Sequence, residues 1–177
     1  MLTVLTVAVA VLAAMCAVNL ALVLRLSAIV REVKATGGQS RPELLVGDRL
    51  PEFAPIETLD GGLVAREQLQ KSPTLIGFFT PTCAPCHEAM PDFATAAQQL
   101  LTYGGRAVAM VRVHRGDDLD ETLERLQGCQ VHLIHDGDTE LMQAFKVAAF
   151  PTVLRFEGGS VAATSIDAVG IKHLAHA

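Results

Sequence analysis

Thr74-Leu75-Ile76-Gly77-Phe78-Phe79-Thr80-Pro81-Thr82-Cys83-Ala84-Pro85-Cys86-His87 is the stretch from which the rest of the chain can be read. Its first six residues form a compact apolar run rich in residues that favour strands, as a strand buried on both faces would be. Thr80-Pro81 ends the run. From Cys86 to Leu101 the apolar residues Met90, Phe93, Ala97 and Leu100 or Leu101 recur at helical spacing. That predicts a helix, bent at Pro91 because proline removes a backbone donor and crowds the preceding turn. A Cys-x-x-Cys pair therefore falls where a buried strand gives way to a helix.

That placement gives the two cysteines a chemistry. Two intervening residues within a first helical turn let the sulfurs approach to bonding distance. Pro85 fits there because its missing donor would be unpaired anyway. The positive end of the helix and its unpaired amides favour the thiolate of Cys83, the form that attacks. Cys86, one turn deeper, is expected to be shielded and to act second, attacking the mixed disulfide to release the partner. Cys83 and Cys86 are thus the expected catalytic pair. His87 lies four residues after Cys83; it either faces that thiolate and tunes it or is a solvated helix-face histidine.

Working outward, Ala107–Val113 reads as a second strand and Leu119–Leu126 as a helix begun by acidic residues that suit its positive end. Val131–Ile134 is a third buried strand, followed by a helix over Thr139–Phe145 capped by Asp138. Thr152–Phe156 and Ser160–Ala163 make a final hairpin across Glu157-Gly158-Gly159. Toward the N-terminus, Val46–Phe53 has the punctuation of a loop leading to an edge element. Leu59–Val64 carries a hairpin's Asp-Gly turn, and a short helix is expected over Arg66–Gln70. Strands alternating with helices and closed by an antiparallel pair make an α/β class, a mixed sheet with helices on its faces. Phe150-Pro151-Thr152 opens the penultimate strand, where a cis peptide bond would bring backbone up against the dithiol. Phe150 and Pro151 are the expected substrate-binding residues, their backbone pairing with an extended partner segment.

With these pieces in place, Leu44 to about Ala163 resembles the TlpA/ResA-like branch of the thioredoxin superfamily. The matching stretches are Val46-Gly47 with Pro51-Glu52-Phe53, Leu59-Asp60-Gly61, Phe78 through Cys86, and Phe150-Pro151-Thr152. The Pro-Thr-Cys-x-x-Cys form looks especially like accessory proteins of methylamine dehydrogenase maturation and related actinobacterial reductases. The resemblance implies a thioredoxin-like fold, Cys83 as attacking thiol, Cys86 as resolving thiol and Pro151 as a cis-proline. It departs in two places: thioredoxin itself carries a buried acid on the strand before the motif and a Trp before the first cysteine, where this chain has Gly77 and Thr82.

The 177 residues are 50% hydrophobic with mean hydropathy +0.36, high for a domain in water. The excess sits at one end. Leu2–Leu24 holds no charged residue and is long enough for a bilayer core, which needs about 20 apolar residues. No basic n-region precedes it, so a transmembrane anchor over 1–25 is favoured over a cleaved signal peptide, with Cys16 an apolar residue of the helix. Residues 26–43 read as a stalk containing Thr36-Gly37-Gly38-Gln39-Ser40, residues 44–164 as the thioredoxin-like domain, and 165–177 as a tail without assigned role. Arg25, Arg31 and Lys34 follow the span, which by charge alone places the domain in the cytoplasm. Dithiol chemistry pulls the other way, toward the face where disulfides form, and the expectation is a cell-membrane protein with an extracytoplasmic domain.

Net charge −5 and pI near 5.6 leave no basic footprint for nucleic acid. The expected partners are a protein client bearing thiols or a disulfide, the membrane, and a membrane electron donor; no cofactor or metal is called for. Four alternatives stand beside this reading. Cys86-His87 completes C-x-x-C-H, a haem-attachment pattern, although buried flanking strands do not suit it. Thr80-x-x-Cys83 matches half of the peroxiredoxin pattern, with Ile76 where that family has proline. Cys129 with His132 or His135 would have to join the pair to hold zinc. Last is a membrane-held binding module with incidental thiols.

Overall fold

Every residue of Thr74–Phe79 is buried, and this strand, β3, is the middle of a five-stranded sheet. The computed structural model describes residues 15, 16, 19, 20, 43–165, 170 and 171. The chain divides into two units, Met1–Arg41 and Pro42–Ala177. In the first, Met15, Cys16, Asn19 and Leu20 are helical and exposed, with Asn19 Nδ2 donating to Met15 O at 3.1 Å. Most of the anchor expected over 1–25 and nearly all of the 26–43 stalk lie outside the described residues. Among those described, no helix is long and apolar enough to cross a membrane.

In the second unit the strands run β1 (Ile56–Glu57), β2 (Leu63–Val64), β3, β4 (Arg106–Arg112), β5 (Gln130–Ile134), β6 (Thr152–Glu157) and β7 (Ser160–Ser165). The helices are α1 (Arg66–Lys71), α2 (Ala84–Thr102), α3 (Asp120–Arg125) and α4 (Glu140–Ala144). β1 and β2 pair as a small antiparallel ribbon closed by Gly61 at φ 77°. The main sheet has order β5-β4-β3-β6-β7, parallel from β3 to β5 and antiparallel through β6 and β7. The carboxyl ends of β3, β4 and β5 thus share one edge, where α/β sheets present their sites.

Alternation along β3 and β4 sorts side chains onto two faces. Leu75, Phe79, Ala107, Ala109 and Val111 lie against α2, with Cys86, Ala89, Met90 and Phe93. Ile76, Phe78, Val108 and Met110 face the other way, against Leu69 of α1 and Leu141 and Phe145 around α4. The α2 face is lined by small residues, which brings the helix close. At Gly77 a Cβ would stand 2.5 Å from Phe79 Cε2 and 2.7 Å from Phe93 Cε2. Both rings are fully buried and stack edge to face with centroids 5.2 Å apart, so neither can yield.

One expectation is corrected. Asp138 does not cap α4: its own N–H closes a turn onto His135 O at 3.0 Å through Gly137 at φ 95°, so the helix starts one residue later at N-cap Thr139, without a side-chain cap. In the tail, to which the sequence assigns no role, Ile171 is fully buried in the cluster under α2. α2 itself is continuous across Pro91. Because the Gly77 site is closed by two immobile rings, Gly77→Ala is expected to destabilise the domain by about 1–3 kcal/mol, the usual range for overpacking a core. A lowered urea midpoint at unchanged slope would show this; an unchanged midpoint would mean the rings have room to move.

Candidate active site at the start of helix α2

The chain leaves β3 at Phe79 and turns through Thr80–Thr82, with Cys83 N–H donating to Thr80 O at 3.3 Å. Cys83 is the N-cap of α2, at φ −104° and ψ 109°, and its sulfur accepts from Cys86 N–H at 3.3 Å. Caps usually present an oxygen to an otherwise unpaired helix amide. Here a thiol does so, and the amide points at the atom that carries the charge when the thiol ionises. Cys83 O also receives Cys86 N–H at 2.9 Å and His87 N–H at 3.2 Å.

The two thiols differ in surroundings. Cys83 is half-buried and Cys86 fully buried. Burial, followed by the contact with Cys83, pushes the Cys86 thiol up to about 12, while the backbone of Thr80 works against the shift. The outer sulfur is thus available to a partner and the inner one is held as a thiol. On the other side, the cis Phe150–Pro151 peptide closes over the pair, with Cys83 Sγ 3.7 Å from Phe150 O. Pro151 stands where the sequence places it, and Phe150 contributes its carbonyl and a ring packed on both core clusters.

His87 is placed differently from the thiolate-facing option. Its Nε2 meets Pro81 O, and its Nδ1 lies 3.4 Å from Glu121 Oε1 on α3. Arg125 grips the same carboxylate through Nη2 at 2.7 Å and Nε at 3.1 Å, and donates through Nη1 to His87 O at 3.1 Å. Glu121 and Arg125 were not singled out by the sequence, where Glu121 reads only as a helix start. Their i,i+4 spacing was the available signal.

The remaining candidates do not join the pair. Cys129 packs against the cluster under α2, and burial pushes its thiol up to about 11. His132 Nδ1 bonds Glu57 O at 2.7 Å, and among the described residues no group of three or more His, Cys, Asp or Glu side chains could hold a metal. Haem attachment through both sulfurs would need an accessible Cys86, which the core encloses.

Residues 46–164 match the AhpC/TSA family. The chain belongs to that family. No curated protein matches it. Among solved structures, the thioredoxin domain of a thiol-disulfide oxidoreductase from Bacteroides vulgatus superposes with TM-score 0.62 at 14% identity, over 76% of this chain and 97% of that one. A thiol:disulfide interchange protein from Bacteroides sp. gives 0.61 at 17%, over 75% and 87%. A secreted Mycobacterium tuberculosis disulfide oxidoreductase homologous to E. coli DsbE gives 0.53 at 15%, over 70% and 94%. At such identities the likeness establishes the thioredoxin-like fold of this AhpC/TSA chain, which the mixed sheet and the strand-Cys-x-x-Cys-helix unit embody.

The raised Cys86 thiol has a pH consequence. An unfolded chain ionises this thiol near 9 and the folded one near 12, so the unfolded state holds fewer protons between them. The dithiol domain is therefore at full stability on this account below about pH 9 and loses it as pH rises toward 12. Reduced wild type should show a steeper alkaline loss of unfolding free energy than Cys86→Ala, measured by urea melts from about pH 8 to 11. Parallel curves would mean the inner thiol ionises as freely as in an unfolded chain.

Proposed function

We propose that this protein is a membrane-tethered thiol-disulfide oxidoreductase, acting as a reductase or isomerase on a protein client through Cys83 and Cys86. The observation that carries the reading is an accessible cysteine capping α2, with a helix amide on its sulfur, directly above a buried second cysteine. Cys83 thiolate attacks one sulfur of a client disulfide; the client's other sulfur leaves as thiolate and takes a proton. Cys86 then attacks Cys83 Sγ, closing the internal disulfide and expelling the second client thiolate. Among the described residues the polar groups that act on the Cys86 thiol are Cys83 and the Thr80 backbone, so the departing client sulfur is the acceptor for its proton. The client leaves reduced by two electrons and the Cys83–Cys86 pair is oxidised by two.

Several features support a polypeptide client. The backbone at Phe150–Pro151 flanks the outer sulfur, which suits an extended segment laid alongside it. A groove of about 550 Å³ opens at the carboxyl ends of β4 and β5, and its apolar floor at Leu119 and Leu133 belongs to the cluster on which Cys83 packs. The apolar run Leu2–Leu24 supports an anchor, and the dithiol supports placement outside the cytoplasm with a membrane electron donor, against the charge of Arg25, Arg31 and Lys34. The Pro81-Thr82-Cys83 form supports the branch of methylamine dehydrogenase accessory and actinobacterial reductase types. Peroxide as the substrate is the second reading, favoured by family membership; a second thiol within the same turn favours exchange instead.

Cys86→Ser is expected to accumulate a client joined to Cys83, visible on non-reducing gels and mapped by mass spectrometry, whereas Cys83→Ser should capture nothing. Turnover of a cystine-containing protein should fall by at least about a hundredfold in either variant, as for loss of a covalent-catalysis residue. Capture by Cys83→Ser, or peroxide consumption that survives in Cys86→Ser without any trapped protein, would overturn the assignment.

A further inference from the structure

The exchange chemistry leaves three side chains beside the dithiol unused, and they converge on the loop that carries it. His87 touches an acceptor with each ring nitrogen: Nε2 meets Pro81 O and Nδ1 faces Glu121 Oε1 at 3.4 Å. A neutral imidazole has one N–H and satisfies one of these, while the imidazolium donates to both. Arg125 holds the same Glu121 oxygen and reaches past it to His87 O, the first carbonyl after the Cys-x-x-Cys pair. Pro81, two residues before Cys83, is thus tied to α3 through the His87 ring, and His87 is tied to α3 through its backbone. Arg125 first, and His87 second, hold the Glu121 carboxyl below the usual carboxylate range, so it stays charged.

We propose that His87, Glu121 and Arg125 form a proton-loaded clamp that fastens the Cys83–Cys86 loop to α3 and sets the reactivity of Cys83 according to pH. The inference rests on the reading of Cys83 as the attacking thiol and names how that site is regulated. When His87 loses its proton, Nε2–H stays on Pro81 O and the bare Nδ1 turns a lone pair toward the Glu121 carboxylate. The ring then disengages from α3, and the cation one turn from Cys83 disappears. Among the described residues, the charged groups facing His87 are Glu121, at its ring, and Arg125, at its carbonyl, both from α3; on its own helix Cys83 meets only the His87 backbone, its carbonyl accepting from His87 N–H at 3.2 Å. His87 is a positioning residue here, because its ring bonds the loop and α3 and touches no reacting atom.

The test uses the full chain in its reduced state. Nuclear magnetic resonance follows the His87 ring and the amides of Thr82 and Cys83 across neutral pH, and mass spectrometry follows alkylation of Cys83 by iodoacetamide over the same range. The loop amides should move with the ring in a single inflection, which should shift to lower pH in Glu121→Gln. At slightly acid pH, Cys83 should react about fivefold more slowly in Glu121→Gln and His87→Asn than in wild type, the lower end of ordinary coupling between sites, while Arg125→Lys keeps most of the rate. Loop amides that ignore the ring, or variants that alkylate at the wild-type rate throughout, would overturn the clamp. Amides that follow the ring while wild-type Cys83 proves inert would overturn the exchange reading, and with it the clamp's control of Cys83, leaving only the tie between ring and loop.

Discussion

The amide of Cys86 and the sulfur of Cys83 meet where α2 begins, just after the fully buried strand β3. A helix start has donors without intrahelical partners, and they must be met by something. Here the carbonyl and the thiol of Cys83 share one of them, so the contact that starts the helix also places a donor on the sulfur. The rest of the domain serves to hold that contact. β3 fixes the loop from below, the Phe150–Pro151 backbone closes it from the side, and α3 ties both ends of the motif.

Burial then separates the roles of two chemically identical side chains. A thiolate buried in the cluster with Ala89, Met90 and Phe93 would lose its hydration, so Cys86 stays protonated across physiological pH. Cys83 keeps solvent access and the helix amides. In the proposed exchange, depth assigns the nucleophile, and the inner thiol becomes useful only once a partner sulfur is bonded to the outer one. Gly77 enforces this. The room a carboxylate would need on β3 is taken by the edge-to-face pair of Phe79 and Phe93, which leaves Cys86 in an apolar setting.

The centre of this architecture was legible in the sequence because its signals are local. The run Thr74–Phe79, the cysteine spacing and Pro85 each report on a few consecutive residues, and the cis peptide was readable from its position before a late strand. What escaped was relational. The Glu121 and Arg125 contacts to His87 join residues more than thirty positions apart, and no periodicity marks which face of α3 meets which turn of α2. The start of α4 escaped because a glycine turn, a backbone event, moved it by one residue past Asp138. Ile171 escaped because a single apolar residue in a weakly patterned tail does not announce that it completes a core.

The most direct measurement equilibrates the full chain in graded glutathione buffers, quenches with acid and counts disulfides by peptide mapping. The account predicts that Cys83 and Cys86 vanish together from the thiol pool in one two-electron transition and reappear as one crosslinked peptide, with Cys129 reduced throughout. Oxidation that leaves Cys86 free, or that joins either residue to Cys129, would contradict it.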